Sequence, residues 1–147
     1  MKYSRAVEQA CCIMALIAGS DESNIVTNEK LSSKLGVSPS YLKKITHKLA
    51  RGGLITASYG ARGGFTLART PRNIRLYDVV VAIEGEAPLF QPTGLIEQVF
   101  RSRSRDAEIG LTRIEKTFAD SEQKAISVLK QLTLESLVKE IHEGAHA

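Results

Sequence analysis

The sequence predicts a mainly α-helical protein that carries one small β-hairpin and a long C-terminal helix. Three observations lead to this fold class: apolar residues recur three and four positions apart in several segments, a short β-branched segment precedes a glycine-rich turn, and a near-3.5-residue apolar period runs close to the C-terminus. The chain has 147 residues, 43% of them hydrophobic and 24% charged, which is ordinary for a globular protein. No apolar run reaches 18 residues, so we expect no transmembrane helix.

The first helix is predicted over residues 4–18, where the apolar residues share one helical face: Val7, Ala10, Cys11, Met14, Ala15 and Ala18. The adjacent Cys11 and Cys12 point about 100° apart on a helix, so a bond between them would require distortion. Two such cysteines make no disulfide framework, which indicates a reducing, cytoplasmic location. Buried structural thiols are the favoured interpretation, and a redox role, for instance between subunits, is the alternative.

Two helices follow, over about 28–35 and 39–51. Thr27 and Ser38 precede them as N-cap residues, and Gly36 is placed to adopt the left-handed conformation that ends the first of them. Two helices joined by a short connection that contains glycine are typical of a helix-turn-helix.

A hairpin is predicted immediately after this pair. Residues 54–59 have the composition of a strand, 60–64 form a glycine-rich turn and 65–67 begin the return strand. A helix-turn-helix followed by a hairpin is the layout of a winged helix. One more helix, over 76–84, completes this predicted domain, which spans residues 1–85.

The rest of the chain is predicted to be a connector over 86–106, with a short helix at about 95–100, and dimerisation helices over 107–143. The long helix covers roughly 107–131, and Thr133 is placed to cap a final helix. Its apolar spacing is close to 3.5 residues, which is typical of paired helices. The residues predicted to form this pairing surface are Leu111, Ile114, Phe118, Ala125, Val128 and Leu132.

Charge is distributed very unevenly along the chain. Residues 27–75 contain ten Lys and Arg and one acid, a net charge of +9, whereas the remaining residues carry ten basic and fifteen acidic side chains, a net charge of −5. The overall +4 therefore conceals a strongly basic segment that coincides with the predicted winged helix. Such a segment favours a polyanionic partner, most often nucleic acid.

The second helix of the pair has the side chains of a DNA-recognition helix. Ser40, Lys43 and Lys44 near its start are the candidates for reading base edges, while its later basic residues would neutralise phosphates. Arg62, at the glycine-flanked tip of the hairpin, suits a narrow minor groove, and its alternative is an exposed arginine without a partner. Tyr59 either stacks on a sugar or packs on the hairpin. The full predicted DNA-binding set is Thr27, Ser38, Ser40, Tyr41, Lys43, Lys44, His47, Lys48, Tyr59 and Arg62.

Other chemistries lack the residues that they need. The glycines at 60, 63 and 64 match neither the Walker pattern nor the dinucleotide fingerprint. His142 and His146 have a metal-compatible spacing, but two ligands near a terminus are weak evidence for a site. We therefore expect no metal, no cofactor and no enzymatic activity.

Several motifs occur in a characteristic order: Gly36-Val37-Ser38-Pro39-Ser40-Tyr41-Leu42, Gly53-Leu54-Ile55, Gly63-Gly64-Phe65-x-Leu67, Ile74-x-Leu76-x-Asp78-Val79-Val80-x-Ala82-Ile83-Glu84-Gly85 and Leu132-Thr133-Leu134-x-x-Leu137-Val138. Together they resemble the Rrf-two (Rrf2) family of bacterial transcriptional regulators, which includes an iron–sulfur cluster regulator, a nitric-oxide-sensitive repressor and a cysteine-metabolism repressor. The resemblance implies a winged-helix domain joined to a long helix that crosses its twin in a homodimer. It also implies that the helix at 38–51 reads DNA and that the wing enters the minor groove.

The sequence departs from this family in two places. Many relatives have an arginine before the wing glycine, where this chain has Tyr59, while Arg62 lies at the tip. Cluster-binding relatives have three cysteines in the connector, whereas residues 86–110 here contain neither cysteine nor histidine. Because thiolates hold such clusters, we expect no iron–sulfur cluster.

The sequence thus predicts a cytoplasmic, homodimeric, sequence-specific regulator that binds a near-palindromic operator in double-stranded DNA. Repression is favoured over activation through the resemblance alone, and no motif identifies the effector. The alternative is a protein-interaction module whose winged helix binds an acidic protein partner.

Overall fold

The computed structural model describes residues 2–20 and 25–144. These residues form seven α-helices and one hairpin, in the order α1 (Arg5–Ala18), α2 (Asn28–Leu35), α3 (Pro39–Arg51), β1 (Ile55–Ser58), β2 (Gly64–Leu67), α4 (Leu76–Glu84), α5 (Leu95–Val99), α6 (Ser104–Leu129) and α7 (Leu134–Gly144). The predicted winged helix-turn-helix is confirmed, and short 3-10 turns at Pro71–Asn73 and Arg101–Arg103 were not predicted. Among the described helices, none is both long and apolar enough to cross a membrane.

The sharp turn between α2 and α3 depends on the side chains that the sequence places there. The Thr27 hydroxyl accepts a hydrogen bond from the Lys30 N–H at 3.2 Å, and the Ser38 hydroxyl accepts one from the Tyr41 N–H at 3.3 Å. Gly36 has φ 63° and ψ 36°, a left-handed conformation that side chains with a Cβ rarely adopt. These groups satisfy backbone donors and end α2 where the chain must change direction.

The hairpin has a third backbone partner that the sequence did not reveal. β1 and β2 pair antiparallel, with Ile55 opposite Leu67, and the Val26 N–H and C=O both bond to Phe65, at 3.1 and 2.9 Å. A Cβ at Gly64 would lie 2.5 Å from the Val26 carbonyl oxygen. Glycine at this position therefore lets the segment before α2 pair directly with the wing.

Residues 2–85 and 129–144 form one compact unit, whose core is shared by α1, α3, α4 and the hairpin. The segment after α6 also belongs to this unit. The Leu76 N–H donates to the Leu132 carbonyl and the Leu134 N–H donates to the Ile74 carbonyl, both at 2.9 Å, and α7 packs against α1. The Thr133 hydroxyl accepts from the Ser136 N–H, as expected for an N-cap.

This grouping differs from the organisation expected along the sequence, which assigned residues 107–143 to dimerisation helices. The long helix ends at Leu129, so Leu132 lies in the backbone pairing with residues 74–76 instead of on α6. The apolar period continues past the helix end because Leu134, Leu137 and Val138 of α7 also face an apolar neighbour, which is the core of this first unit.

Residues 86–128 form the second compact unit, which contains α5 and most of α6. The rings of Phe90 and Phe118 stack with centroids 5.0 Å apart and nearly parallel planes, so they tie the connector to α6.

Candidate nucleic-acid interface

Helix α3 presents two chemically distinct faces. Leu42, Ile45 and Leu49 are buried in the core and fix the rotation of the helix about its axis. The opposite face is exposed, and it carries Ser40, Lys43, Lys44 and His47. The core packing thus directs the polar residues of α3 outward as a set.

The positive charge of this surface is not neutralised by neighbouring side chains. Within residues 2–20 and 25–144, the one ion pair formed by a basic residue of the 27–75 segment joins Arg69 to Asp78 at 3.8 Å. Lys43, Lys44 and Arg62 are exposed and form no ion pair with any described residue. Their charges therefore remain available to an anionic partner.

Lys48 differs from the other lysines of α3. Its ammonium group donates a hydrogen bond to the Ile83 carbonyl oxygen at 2.8 Å, at the C-terminal end of α4. A cation at this position satisfies a free carbonyl and complements the helix dipole. Lys48 thus anchors α3 to α4, a role that no pattern in the sequence indicates.

The neighbouring Glu84 makes a related contact. Its carboxylate accepts a hydrogen bond from the Ser4 N–H at 2.8 Å, just before α1. Hydrogen bonding from Ser4, through its side chain and then its backbone, holds the pKa of Glu84 below its ordinary value. The start of α1 and the end of α4 are linked by this bond.

Four more of the predicted DNA-binding residues have hydrogen-bond partners within the protein. Thr27 and Ser38 are the N-caps described above, and the Tyr41 hydroxyl donates to Gln9 Oε1 at 3.1 Å, which connects α3 to α1. Ser40 also lies within hydrogen-bonding distance of the Ser38 hydroxyl, at 3.2 Å. These contacts position the start of α3, and Lys43, Lys44 and His47 of the predicted set remain exposed beside it.

The wing projects two side chains from its turn. Tyr59 is 95% exposed, which removes the interpretation that it packs on the hairpin. Arg62 is exposed in the turn between β1 and β2. Both side chains are therefore free to contact a molecule on the wing side of α3.

The predicted pairing surface on α6 stays partly exposed, although Phe118 stacks on Phe90 of its own unit. On α6, Ile114, Phe118 and Val128 are exposed, Val128 to 64%, while Leu111 and Ala125 are half-buried. Exposed apolar side chains along one helix are a common feature of interaction surfaces.

The cysteines occupy two different environments on α1. Cys11 is half-buried, Cys12 is exposed, and both are free thiols. Burial raises the pKa of the Cys11 thiol, and the adjacent Cys12 adds to the increase. Cys12 is thus the accessible thiol of the pair.

The residues present do not fit an iron–sulfur cluster held by connector thiolates. The sequence has its two cysteines at positions 11 and 12, and residues 86–110 contain no cysteine or histidine. No group of three or more His, Cys, Asp or Glu that could hold a metal ion occurs in the part of the chain that the structure describes; His146 lies outside it.

Comparison with known proteins identifies the relatives of this chain. Residues 3–140 match the model of the Rrf2 family, described as iron-dependent transcriptional regulators. YwgB of Bacillus subtilis, named as a candidate HTH-type transcriptional regulator, is 33% identical over 143 residues, which cover 97% of this chain and 88% of that protein. YffB of Lactococcus lactis, similarly named, is 38% identical over 108 residues, covering 74% and 69% of the two chains.

Solved structures share the same architecture. CymR of Bacillus subtilis, a global cysteine regulator, superposes with a TM-score of 0.65 at 20% identity, over 95% of this chain and 98% of that one. IscR of T. potens gives a TM-score of 0.66 at 22% identity, over 98% and 90% of the two chains. At these identities the likeness establishes the fold.

Proposed function

Because this chain belongs to the Rrf2 family of transcriptional regulators, we propose that it is a homodimeric repressor that binds a near-palindromic operator in double-stranded DNA. The chain is a DNA-binding winged-helix regulator and not an enzyme. The observation that carries the finer proposal is the outward face of α3 together with Arg62, where basic side chains lack ion-pair partners among the described residues.

In this proposal α3 enters the major groove. Ser40, Lys43 and Lys44 lie near its N-terminal end, the part of a recognition helix that meets base edges. Serine both donates and accepts hydrogen bonds, and lysine donates to guanine acceptors. His47 lies one turn further on, where it would contact the phosphate backbone.

The wing contacts the adjacent minor groove. Arg62 lies in a turn between Gly60 and Gly63. Glycines at these positions allow the turn to approach the DNA backbone closely. The enhanced negative potential of a narrow minor groove favours an inserted arginine. The exposed ring of Tyr59 is placed to stack on a sugar beside it.

Four predicted contacts serve a second purpose in this proposal. Thr27, Ser38, Tyr41 and Lys48 hold the helix-turn-helix together through the hydrogen bonds described above. Substitution of these residues would weaken DNA binding chiefly by displacing α3.

Dimerisation uses the apolar face of α6, residues 111–128, following the connector at 86–106. A second copy would cover Ile114, Phe118 and Val128, and the two-fold axis would present two copies of α3 to successive major grooves. That geometry accounts for a near-palindromic operator. A repressor of this kind acts in the cytoplasm, where it reaches the bacterial genome.

The signal that this regulator answers to is not carried by an iron–sulfur cluster. The connector lacks the thiolates that bind such clusters, so we propose a cofactor-independent protein.

Genomic footprinting with the purified full chain tests the function. We expect a symmetric footprint with two protected half-sites about one helical turn apart, and a dimer mass in solution. Absence of binding to any genomic fragment would reject the repressor and favour a protein-interaction module instead. A monomeric mass with a one-sided footprint would reject the homodimer alone.

A further inference from the structure

A continuous set of polar contacts in the first compact unit joins the end of α3 to the end of α6. It begins at Gly53, next to the C-cap residue of α3, and it ends at Lys130, which directly follows the last residue of α6. The side chains of Arg69, Asp78 and Arg75 make the contacts between these two points. These five residues form what is called here the α3–α6 network.

Arg69 connects the turn after α3 to the first turn of α4. Its Nε–H donates a hydrogen bond to the Gly53 carbonyl oxygen at 3.1 Å, and its Nη1 lies 3.8 Å from Oδ2 of Asp78. A guanidinium presents several N–H donors in fixed directions, so it contacts two partners at once in one geometry. A lysine ammonium at this position lacks that fixed geometry.

Asp78 is the central member of the network. Its Oδ2, which faces Arg69, also accepts a hydrogen bond from the Arg75 N–H at 2.8 Å, just before α4 begins. A carboxylate in the first turn of a helix satisfies a backbone donor and complements the helix dipole. One carboxylate oxygen therefore ties Arg69 to the start of α4.

Arg75 carries the contact on to the residues that follow α6. Its guanidinium donates to the Lys130 carbonyl oxygen, and the Lys130 ammonium lies 4.8 Å from the centre of the Tyr77 ring on α4. The Leu76 N–H, beside Arg75, donates to the Leu132 carbonyl. The start of α4 is thus bonded to the chain just past α6 through both backbone and side-chain groups.

We propose that the α3–α6 network determines which spacing between operator half-sites the protein accepts, a proposal that rests on the proposed homodimeric function. In a dimer formed through α6, the separation of the two copies of α3 depends on how each α3 is fixed to the end of its own α6. Arg69, Asp78 and Arg75 act as positioning residues in this proposal, and none of them reads a base.

Spacing is a sensitive measure of that geometry. Adding one base pair between half-sites moves them apart by about 3.4 Å and rotates one against the other by about 35°. A protein with a rigid connection between its two α3 helices loses contacts on such a duplex, whereas a looser connection adapts to it. Weakening the network should therefore relax the preference for one spacing.

The stability of the fold should depend little on the network. The ion pair between Arg69 and Asp78 is partly exposed, with 39% and 28% of the two side chains accessible, and such pairs contribute little to stability. Helix α3 also packs directly on α4 through the core. Variants of the arginines should thus fold and differ in positioning.

The experiment uses the full chain and a duplex operator obtained by binding-site selection, together with duplexes whose half-site spacing is shortened or lengthened by one base pair. Affinities are measured by fluorescence anisotropy. We expect the wild-type protein to bind the selected spacing about tenfold more tightly than the altered ones, and Arg69→Met and Arg75→Met each to reduce this ratio to about threefold. Melting temperatures verify that the variants fold.

Two further variants separate geometry from charge. Arg69→Lys keeps the charge but not the two-partner geometry, so it should relax the spacing preference as Arg69→Met does. Arg72→Met is the matched control: this arginine lies between the two network arginines in the chain, is exposed and forms no ion pair with any described residue. It should keep the wild-type ratio.

Three results would overturn the proposal: a wild-type ratio in both Arg69→Met and Arg75→Met, an equal loss of affinity at every spacing, or wild-type protein that binds all spacings equally. The second result would indicate that the arginines contact phosphates directly. In each case a symmetric footprint and a dimer mass would leave the proposed function intact, whereas the absence of any footprint would reject that function itself.

Discussion

The salt dependence of DNA binding measures directly whether the charges of Lys43 and Lys44 lie against DNA and displace its counterions. Both side chains are exposed on α3 and lack ion-pair partners among the described residues, so their replacement by alanine removes charge without exposing a buried partner. In a homodimer the double variant removes four positive charges from the DNA-facing surface. Each phosphate charge that a protein cation neutralises contributes about 0.9 to the slope of log affinity against log salt, so the loss of four lysine charges should make the slope shallower by up to about 3.6.

This change is large enough to be unambiguous. Between about 50 and 200 mM salt the wild-type protein should lose about a hundredfold more affinity than the variant. The assay is fluorescence anisotropy on a duplex obtained by binding-site selection, repeated at several salt concentrations. The control removes the same charge elsewhere: Lys116→Ala/Lys139→Ala leaves α3 intact and should keep the wild-type slope.

Two outcomes would refute the reasoning. An unchanged slope in the Lys43→Ala/Lys44→Ala variant would remove α3 as the helix that contacts DNA. An equal slope change in the control variant would attribute the effect to net charge instead of position.

Three further predictions concern the wing, the packing beside it and the α1–α4 link. Arg62→Ala should lower affinity about tenfold on operators with A·T-rich, narrow minor grooves and little on wide ones; equal loss on both would indicate a simple phosphate contact. Gly64→Ala should destabilise the fold by about 2 kcal/mol, seen as a drop of about 6 °C in melting temperature, because the added Cβ would lie 2.5 Å from the Val26 carbonyl oxygen. The control is Gly110→Ala, whose added Cβ meets nothing within 4 Å and should cause no such loss. Glu84→Gln should lower the melting temperature at neutral pH but not in acid. Hydrogen bonding from Ser4 lowers the pKa of Glu84 in the folded protein. The stabilisation by this carboxylate is therefore present above the pKa of the unfolded chain and is lost as the pH falls through the pKa of the folded protein. A difference between the two proteins that persists in strong acid would contradict this last account.

The helix-turn-helix was predictable because its signals are local. Thr27, Gly36 and Ser38 act on backbone groups within a few residues of themselves, so the residue types alone indicate where α2 ends and α3 begins. The apolar stripe of α3 likewise identifies its outward face, since helical periodicity relates neighbouring residues without reference to the rest of the fold.

The contacts that escaped prediction join residues far apart in the chain. In the sequence, Lys48 cannot be distinguished from Lys43 and Lys44. It links α3 to α4 because the tertiary fold brings the C-terminal end of α4 next to its ammonium group. Leu132 continued the apolar period of α6, yet its backbone pairs with residues around Ile74.

By itself, the sequence determined the order of the elements, the basic character of the winged helix and the lack of connector thiolates, since these depend on composition and local spacing. The tertiary structure alone decided which lysines of the basic segment remain free, that Val26 joins the wing through the space left at Gly64, and that α7 returns to pack on α1. The physical reason is that such contacts depend on the distances between elements, and periodicity along a chain carries no information about those distances.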